Sequence, residues 1–333
     1  MHPLQNPLNP ILWTARRNEY DVISLYNYLS GLMRIVTDDH FLNFGYWNKG
    51  IDSPIEAQRK LCSLVAAASN LCSATTVLDI GSGFSAPGIY WKSLFNSLNV
   101  VCVDINFRQL KFGVSLRDDL KEHKITFPLS KKDSNTKALK LSLEYELPHS
   151  EHLEKLSFVS ATSRLLPFAD NSVDRIIALE SAQHFRPLSE FFSESNRVLE
   201  KNGIFVIAIP VVTHNQKYAL LGNSMFSKVI TLMSSIFKLG VISFTWMSEH
   251  FDLNYVRSQI IKAGFQTKEI QLIGSHVYEP LSSYYIQNRD RLRKAILKEY
   301  PSYLEKILYN SILKMNELSK KGVIDYAIIR ANK

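Results

Sequence analysis

The chain has 333 residues, of which 46% are apolar and 21% are charged, and its formal net charge is +8. This composition is typical of an ordinary folded protein and excludes fibrous and intrinsically disordered classes, and the length allows one elaborated domain or two small ones. Because the basic residues form no dense block, the charge favours anionic substrates or lipid headgroups only slightly and does not indicate a nucleic-acid-binding surface.

The sequence carries no pattern for secretion, membrane insertion or metal binding. The N-terminal residues lack the basic segment and apolar run of a signal peptide. The longest apolar tract, residues 219–247, is interrupted by polar residues and is too polar to span a membrane. The three cysteines have no metal-ligand spacing, and Cys102 falls in a predicted buried strand. We therefore expect a cytoplasmic protein without a bound metal, and peripheral contact with a membrane surface stays open.

The first predicted elements precede the sheet. Residues 21–36 carry apolar side chains at helical spacing, which predicts an amphipathic helix. An aromatic-rich stretch follows at residues 40–47, either as core at one end of the sheet or as a flap over cofactor and substrate, with Tyr46 as a candidate contact. Ser53 and the proline after it then begin a second helix. We assign residues 1–60 to an N-terminal helical flap.

The central motif is a strand followed by a glycine turn. Residues 77–80 predict a buried parallel strand, and the turn contains Gly81, Ser82 and Gly83. A second apolar run ends at Asp104, about 20 residues later, where an acidic residue can bind a ribose. The third glycine of the dinucleotide pattern is missing, and Asp79 before the turn would repel a pyrophosphate but not a cationic ligand. The motif therefore predicts a nucleotide-binding α/β sheet for a cationic ligand.

This motif resembles motif I of the class I S-adenosylmethionine-dependent methyltransferases. The resemblance implies an α/β, Rossmann-like fold with a seven-stranded doubly wound sheet and an antiparallel last strand. It also implies S-adenosyl-L-methionine as the cofactor, with the glycine turn under its methionine moiety and its ribose at Asp104 and Ile105. Residues 44–47 resemble a stretch found in sterol, tocopherol and phthiotriolone methyltransferases.

A polar insertion and a second motif follow. Residues 117–155 form a charged insertion that could be a lid, an oligomer contact or a disordered loop. After a strand at residues 156–160, the segment 161–174 resembles the family signature whose acid contacts the adenine amine. Thr162 stands in place of that acid, and Ser163 could contact the adenine through its backbone.

The fourth predicted strand, residues 173–179, ends beside two catalytic candidates, Glu180 and His184. Ligands bind at the carboxyl ends of strands in open α/β sheets, and a histidine titrates near neutral pH. The sequence here resembles natural-product O-methyltransferases in which this histidine deprotonates the acceptor hydroxyl. Alternatively, His184 only contacts the cofactor or caps a helix, because Pro210 and its neighbour replace the acid that often orients the histidine. Glu180 could contact the cofactor or stabilise a cation.

The remaining chain predicts two further inserts around the end of the sheet. A helix over residues 188–199 closes in a turn at 201–203, and strand five covers 203–210. The apolar residues 211–250 could be a helical cap over the active site, a buried helix or a membrane-contact helix. A helical insert at 281–320 precedes the last strand. We assign residues 61–210 and 251–333 to the methyltransferase domain.

Together these patterns predict an enzyme that moves a methyl group to an oxygen or carbon of a largely apolar small molecule, such as a lipid, terpenoid, quinone or polyketide-like compound. The alternatives are a non-catalytic S-adenosylmethionine-binding protein and cyclopropane-type alkylation of lipids. An NAD-dependent oxidoreductase would need the third glycine. We expect no nucleic-acid partner because no acceptor motif for base methylation follows strand four, and a monomer and a homodimer are both open.

Overall fold

The computed structural model describes residues 18–37, 39–122, 150–213 and 251–333. Its strands form one sheet in the order β3-β2-β1-β4-β5-β8-β7, with β6 beside β5. Strands β1 to β5 run parallel, whereas β8 is antiparallel to both β5 and β7. The strands are β1 Thr76–Ile80, β2 Asn99–Asp104, β3 Leu156–Ser160, β4 Val173–Leu179, β5 Leu199–Val212, β6 Phe251–Asp252, β7 Gln266–Leu272 and β8 Ile324–Asn332.

Helices cover both faces of the sheet. Side chains alternate between the faces along each strand, so Val77 joins one apolar cluster and Leu78 the other. The first cluster packs against α1–α4 and α7–α9, and the second against α5 and α6. The helices are α1 Glu19–Thr37, α2 Pro54–Ala68, α3 Ala86–Leu94, α4 Phe107–Lys121, α5 Leu188–Val198, α6 Leu253–Lys262, α7 Tyr278–Gln287, α8 Arg289–Ile296 and α9 Ser302–Lys320. The predicted doubly wound α/β fold with an antiparallel last strand is confirmed, and the two-residue β6 is an addition to its seven strands.

The strand order reverses at β1, which lies between β2 and β4. At such a reversal the connections leave the sheet in opposite directions and open a crevice at the carboxyl ends of the strands. The carboxyl ends of β1, β2 and β4 therefore lie side by side. Gly81, Asp104 and Glu180 stand at these three strand ends.

The end of α5 was predicted wrongly. Residues 201–203 do not form a helix-closing turn, because β5 already begins at Leu199. Asn202 lies in this strand with a left-handed φ of 67°, and the register between β4 and β5 shifts between Val173 and Arg175. An asparagine followed by a glycine is typical of a helix C-terminus and also of an irregularity in a strand. Here the two residues mark an irregularity in β5.

The aromatic stretch 40–47 is packed into the fold. Its Tyr46 N–H donates to the Ala57 carbonyl of α2 over 2.8 Å, and its Trp47 N–H donates to the His276 carbonyl over 2.7 Å. Phe41 and Trp47 are buried. The stretch thus contributes to the core, and closure as a flap stays a prediction.

Parts of three predicted segments lie outside the described residues. They are the first 17 residues of the N-terminal flap 1–60, residues 123–149 of the insertion 117–155, and residues 214–250 of the apolar cap 211–250. Across the ranges that the structure does describe, no helix combines the length and the hydropathy required to cross a membrane.

Candidate active site

A large cavity lies at the carboxyl ends of β1, β2 and β4. Its empty volume is about 1190 Å³, part of which is open to solvent. It is lined by residues of α1 and of the stretch 40–44 and by the segments that follow the three strands.

The glycine turn after β1 forms one wall of the cavity. Gly81 has a φ of 73°, and a Cβ atom there would lie 2.4 Å from the Cβ of Ser181. No side chain fits in that space, so the turn requires glycine at this position. The N–H groups of Gly81 and Ser82 both donate to the Val103 carbonyl, over 2.7 and 3.1 Å. The turn is thereby fixed against the end of β2.

Asp104 is buried at the end of β2 and lines the cavity. Its Oδ2 accepts the Gly83 N–H over 2.8 Å, and its Oδ1 accepts the Asn106 N–H over 2.7 Å. Burial raises the pKa of Asp104, and backbone hydrogen bonds from Asn106, Gly83 and Ile105 oppose that rise. A carboxylate has about four acceptor positions, so Asp104 retains capacity for the hydroxyl groups of a ligand.

Asp79 lies behind the glycine turn and not on the surface of the cavity. It is 1% exposed, and its Oδ2 has no hydrogen-bond partner among the described residues. Burial, with the nearby Asp104 as a second cause, raises the pKa of Asp79 to about 8. Asp79 therefore lies behind the cavity surface, and its role in cofactor binding stays a prediction.

Glu180 joins three elements at the end of β4. Its Oε1 accepts the Phe44 N–H and the Tyr326 hydroxyl, each over 2.9 Å. Its φ of 51° is unusual for a residue other than glycine, and such backbone conformations cluster at functional sites. Burial raises the pKa of Glu180 to about 8, although both hydrogen bonds lower it. Glu180 therefore presents a buried carboxyl group to the cavity and holds Phe44 beside it.

His184 meets Tyr26 across the cavity. The Tyr26 hydroxyl and the Nε2 atom of His184 are 2.7 Å apart, and the rings contact edge to face with centroids 5.2 Å apart. The sequence places Tyr26 only on the apolar face of a helix and gives no sign of this pairing. Pro210 lines the cavity, and its side chain has no group that could accept a hydrogen bond from the imidazole. Tyr26 from α1 thus supplies the polar side chain that is missing at Pro210.

Some of the other residues that were predicted to contact the cofactor line the cavity, and two do not. Ser82, Gly83, Ile105 and Ser163 line the cavity. Thr162 does not, and its hydroxyl donates to Glu19 of α1. Tyr46 also lies outside the cavity lining, where its ring stacks on His276 with centroids 4.7 Å apart.

Two polar residues of the cavity were missed. The His40 Nδ1 atom and the Gln183 Oε1 atom are buried in the cavity lining, and neither has a hydrogen-bond partner in the described part of the chain. Burial, with Arg34 as a second cause, lowers the pKa of His40. A polar side chain within the aromatic stretch was the available signal for His40. Buried polar atoms without partners are costly, so a polar ligand that pairs with them would stabilise the site.

Comparison with known proteins identifies the chemistry of this cavity. Residues 78–207 match the family described as a methyltransferase domain. The chain is 22% identical to erythromycin 3''-O-methyltransferase of Saccharopolyspora erythraea over 326 residues, which cover 97% of this chain and 93% of the relative. The chain is a methyltransferase. The predicted enzyme class is thereby confirmed, and S-adenosylmethionine as its cofactor stays a prediction.

Solved structures of other proteins share the fold of this methyltransferase. A mycolic acid cyclopropane synthase complexed with SAH superimposes with a TM-score of 0.70 at 17% identity, over 96% of this chain and all of the other. A geranyl diphosphate methyltransferase in complex with GPP and sinefungin gives a TM-score of 0.60 at 12% identity, over 96% of this chain and 99% of the other. At these identities the likeness extends to the fold alone.

The cavity of the methyltransferase fits a cofactor that is both cationic and hydrogen-bonding. Buried carboxyl groups at Asp104 and Glu180 face the cavity, and those at Asp79 and Asp104 raise each other's cost of ionisation. A positive charge placed among them would reduce that cost. The unpaired atoms of His40 and Gln183 are buried beside the cavity and are further hydrogen-bonding groups.

Proposed function

We propose that this methyltransferase methylates a hydroxyl oxygen of a largely apolar small molecule and that Tyr26 and His184 take up the proton. The observation that carries the proposal is the 2.7 Å hydrogen bond between the two side chains in the cavity lining. A hydroxyl acceptor must lose a proton when its oxygen is methylated, and a tyrosine–histidine pair can receive one near neutral pH.

The cofactor half of the cavity has the groups to bind S-adenosylmethionine. Asp104 would bind the ribose hydroxyls, and the turn at Gly81 and Gly83 would lie against the methionine part. Bound there, S-adenosylmethionine supplies an electrophilic methyl group on a sulfonium ion. The contribution of the chain is to hold the acceptor oxygen in line with that methyl group and to exclude water.

We assign the His184 proton to Nδ1, because in that tautomer Nε2 accepts the hydrogen bond from the Tyr26 hydroxyl. Tyr26 then donates its hydroxyl proton to Nε2, and its oxygen can accept a hydrogen bond from the acceptor hydroxyl. As the oxygen–methyl bond forms, the acceptor proton moves to Tyr26 and the Tyr26 proton moves to His184. One proton passes from the acceptor to the imidazole, and the positive charge that arises there balances the charge that a sulfonium would lose when its bond to the methyl group breaks.

The lining on the acceptor side supports an apolar substrate. Among the lining residues, Val22 and Ile23 lie one turn from Tyr26 on α1, and Phe185 directly follows His184 in the chain. The lining also includes the apolar side chains of Leu42, Phe44 and Leu179. The full-length relative in this comparison is an O-methyltransferase by name. Both observations favour an uncharged acceptor with a hydroxyl group.

A carbon acceptor is the second candidate, because Glu180 presents a carboxyl group to the cavity that could stabilise a cation. Its pKa of about 8 makes this carboxyl group largely neutral at pH 7, which weakens that role. Carbon methylation and cyclopropane formation also release a proton, so the acceptor panel below, and not the Tyr26 variant alone, separates them from oxygen methylation.

The test is transfer of a labelled methyl group from S-adenosylmethionine to a panel of apolar alcohols, phenols and alkenes. With the best hydroxyl acceptor, Tyr26→Phe and His184→Ala should each lower kcat about 10²–10⁴-fold. Tyr20→Phe is the matched control, since Tyr20 lies on the same helix and is 81% exposed. Undiminished kcat in Tyr26→Phe, or methyl transfer to alkenes alone, would refute the proposal, and transfer to no member of the panel would favour a non-catalytic binding protein.

A further inference from the structure

A second cavity lies directly behind one wall of the active-site cavity. It is bordered by α1, α2, α7 and α9 and has an empty volume of about 540 Å³. Three residues, Met33, Asn43 and Phe44, line both cavities. The same side chains therefore face the active site on one side and this second space on the other.

The lining of the second cavity is apolar and carries no charge among the described residues. Beyond the shared wall it consists of Leu32, Val36, Thr37, Pro54, Gln58, Leu281, Leu308, Ile312 and Met315. The Thr37 hydroxyl is already satisfied, because it donates to the Met33 carbonyl over 3.0 Å. An ionic group would find no partner there, whereas a hydrocarbon chain would lose its contact with water at no polar cost.

One polar atom of this lining is unpaired among the described residues. Gln58 uses its amide nitrogen to hold the carbonyls of Phe41 and Asn43, over 3.2 and 2.7 Å. Its Oε1 atom is buried and has no hydrogen-bond partner in the described ranges.

The side chains between the two cavities can move aside while the backbone that carries them stays in place. Phe44 is held through its backbone N–H by Glu180, so its position does not depend on its ring. Met33 is half-buried, and an unbranched methionine side chain changes rotamer easily and adapts to irregular spaces. The wall is therefore built from one fixed backbone and one adaptable side chain.

The spacing along α1 relates the second cavity to the chemistry. Tyr26 and Met33 are seven residues apart, two turns along one face of the helix, and a rise of about 1.5 Å per residue separates them by about 10 Å along the axis. A substrate whose hydroxyl lies at Tyr26 would reach the wall with an extension of about that length.

We propose that the second cavity receives the hydrocarbon tail of the acceptor whose hydroxyl lies at Tyr26 and His184. The proposal rests on the proposed function and specifies its substrate class as an alcohol or phenol with a long aliphatic tail. Continuity through Met33 and Phe44 and the uncharged lining both support this occupant.

The first measurement is calorimetric binding of primary alcohols, from 1-hexanol to 1-tetradecanol, to the full-length protein with S-adenosylhomocysteine present. Each buried methylene contributes about 0.8 kcal/mol, which is about fourfold in affinity. We expect the dissociation constant to fall by about that factor per methylene until the second cavity is filled.

Variants on α9 then locate the tail. Ile312 lines only the second cavity, so Ile312→Phe should weaken binding of the longest alcohols at least tenfold and leave 1-hexanol unchanged. Ile312→Ala should extend the gain in affinity to longer alcohols. This second variant keeps the test valid if Ile312→Phe does not fold. Leu318→Phe is the matched control, because Leu318 is buried on the same helix and lines neither cavity.

Opposite shifts in the two Ile312 variants, with the control unchanged, would support the proposal. Wild-type length dependence in Ile312→Phe and Ile312→Ala would overturn it and place the tail elsewhere. Undiminished methyl transfer by Tyr26→Phe would overturn the proposed function alone, because the binding series reports on chain length without any turnover.

Discussion

The two halves of the active-site cavity are built in different ways. The cofactor half consists of the glycine turn after β1 and Asp104 at the end of β2. These two parts belong to one strand–helix–strand unit, and a 2.8 Å hydrogen bond from the Gly83 N–H to Asp104 links them. The acceptor half joins residues that are far apart in the chain, since Tyr26 pairs with His184 over 158 positions and Phe44 with Glu180 over 136. The first half depends on local chain geometry, and the second on packing of α1 and the stretch 40–47 against the sheet.

This contrast explains how one fold can use one cofactor with many acceptors. The loop and the strand-end acid belong to the same βαβ unit, so they keep their geometry when distant elements change. The acceptor side is assembled from added elements and can change with them. Four predictions test this division, and they are given in order of decreasing expected effect.

The largest effect is expected in the acceptor half, in the double variant Tyr26→Phe/His184→Ala. Because the two side chains act as one proton path, the double variant should lose no more activity than either single variant, about 10²–10⁴-fold in kcat. Kinetics with the best hydroxyl acceptor give kcat, and calorimetry should show unchanged affinity for S-adenosylhomocysteine. Losses that multiply would show that the residues act independently.

The cofactor half should be most sensitive at Gly81. Gly81→Ala combines a left-handed φ of 73° with a Cβ atom 2.4 Å from that of Ser181, so its free energy of unfolding should fall by more than the roughly 1–2 kcal/mol that the backbone conformation alone costs. Gly50→Ala is the matched control, because Gly50 has a φ of 93° with nothing within 4 Å of the added atom. Equal losses in denaturant unfolding would mean that the contact with Ser181 relaxes freely.

Asp104→Ala should weaken binding of S-adenosylhomocysteine by about 1–3 kcal/mol, since a charged hydrogen-bond acceptor is lost. Asp174→Ala separates binding from folding. Asp174 also accepts two backbone N–H groups, from Thr75 and Thr76 over 2.8 and 2.7 Å, but it does not line the cavity. Calorimetry that finds the same loss in both variants would remove the ribose role of Asp104.

The smallest effect within a single pH unit is a pH dependence that connects the two halves, and it accumulates over several pH units. Burial raises the pKa of both Glu180 and Asp79 to about 8 in the folded chain. A carboxyl group with a raised folded pKa stabilises the fold fully below its unfolded pKa, near 4, and this stabilisation is lost as pH rises through 8. The free energy of unfolding should therefore fall between about pH 5 and 8, by at most ~1.4 kcal/mol per pH unit and group.

Glu180→Gln isolates one of these contributions, because a glutamine oxygen can still accept the bonds from Phe44 and Tyr326. The variant should show a shallower decline with pH than the wild type. An equally steep decline in both Glu180→Gln and Asp79→Asn would assign the dependence to other groups.

Residues of the central sheet could be predicted because their signals are local. The apolar run at 77–80, the two glycines and Asp104 lie within one βαβ unit, so their spacing fixes their contacts. The same logic failed at residues 201–203, where an asparagine and a glycine suit a helix end and a strand irregularity equally. Only the pairing of β5 with β4 and β8 decides between them.

By itself the sequence determined the doubly wound α/β fold, the order of its main elements and the methyltransferase class, because strand periodicity and turn chemistry act over a few residues. Tertiary structure alone decided that Tyr26 meets His184, that Thr162 turns to Glu19 and that Tyr46 stacks outside the cavity. It also placed Asp79 behind the turn and opened the space behind Met33 and Phe44. These features depend on how α1 and the stretch 40–47 pack across the sheet edge, and no short-range pattern encodes a contact between segments more than 100 residues apart.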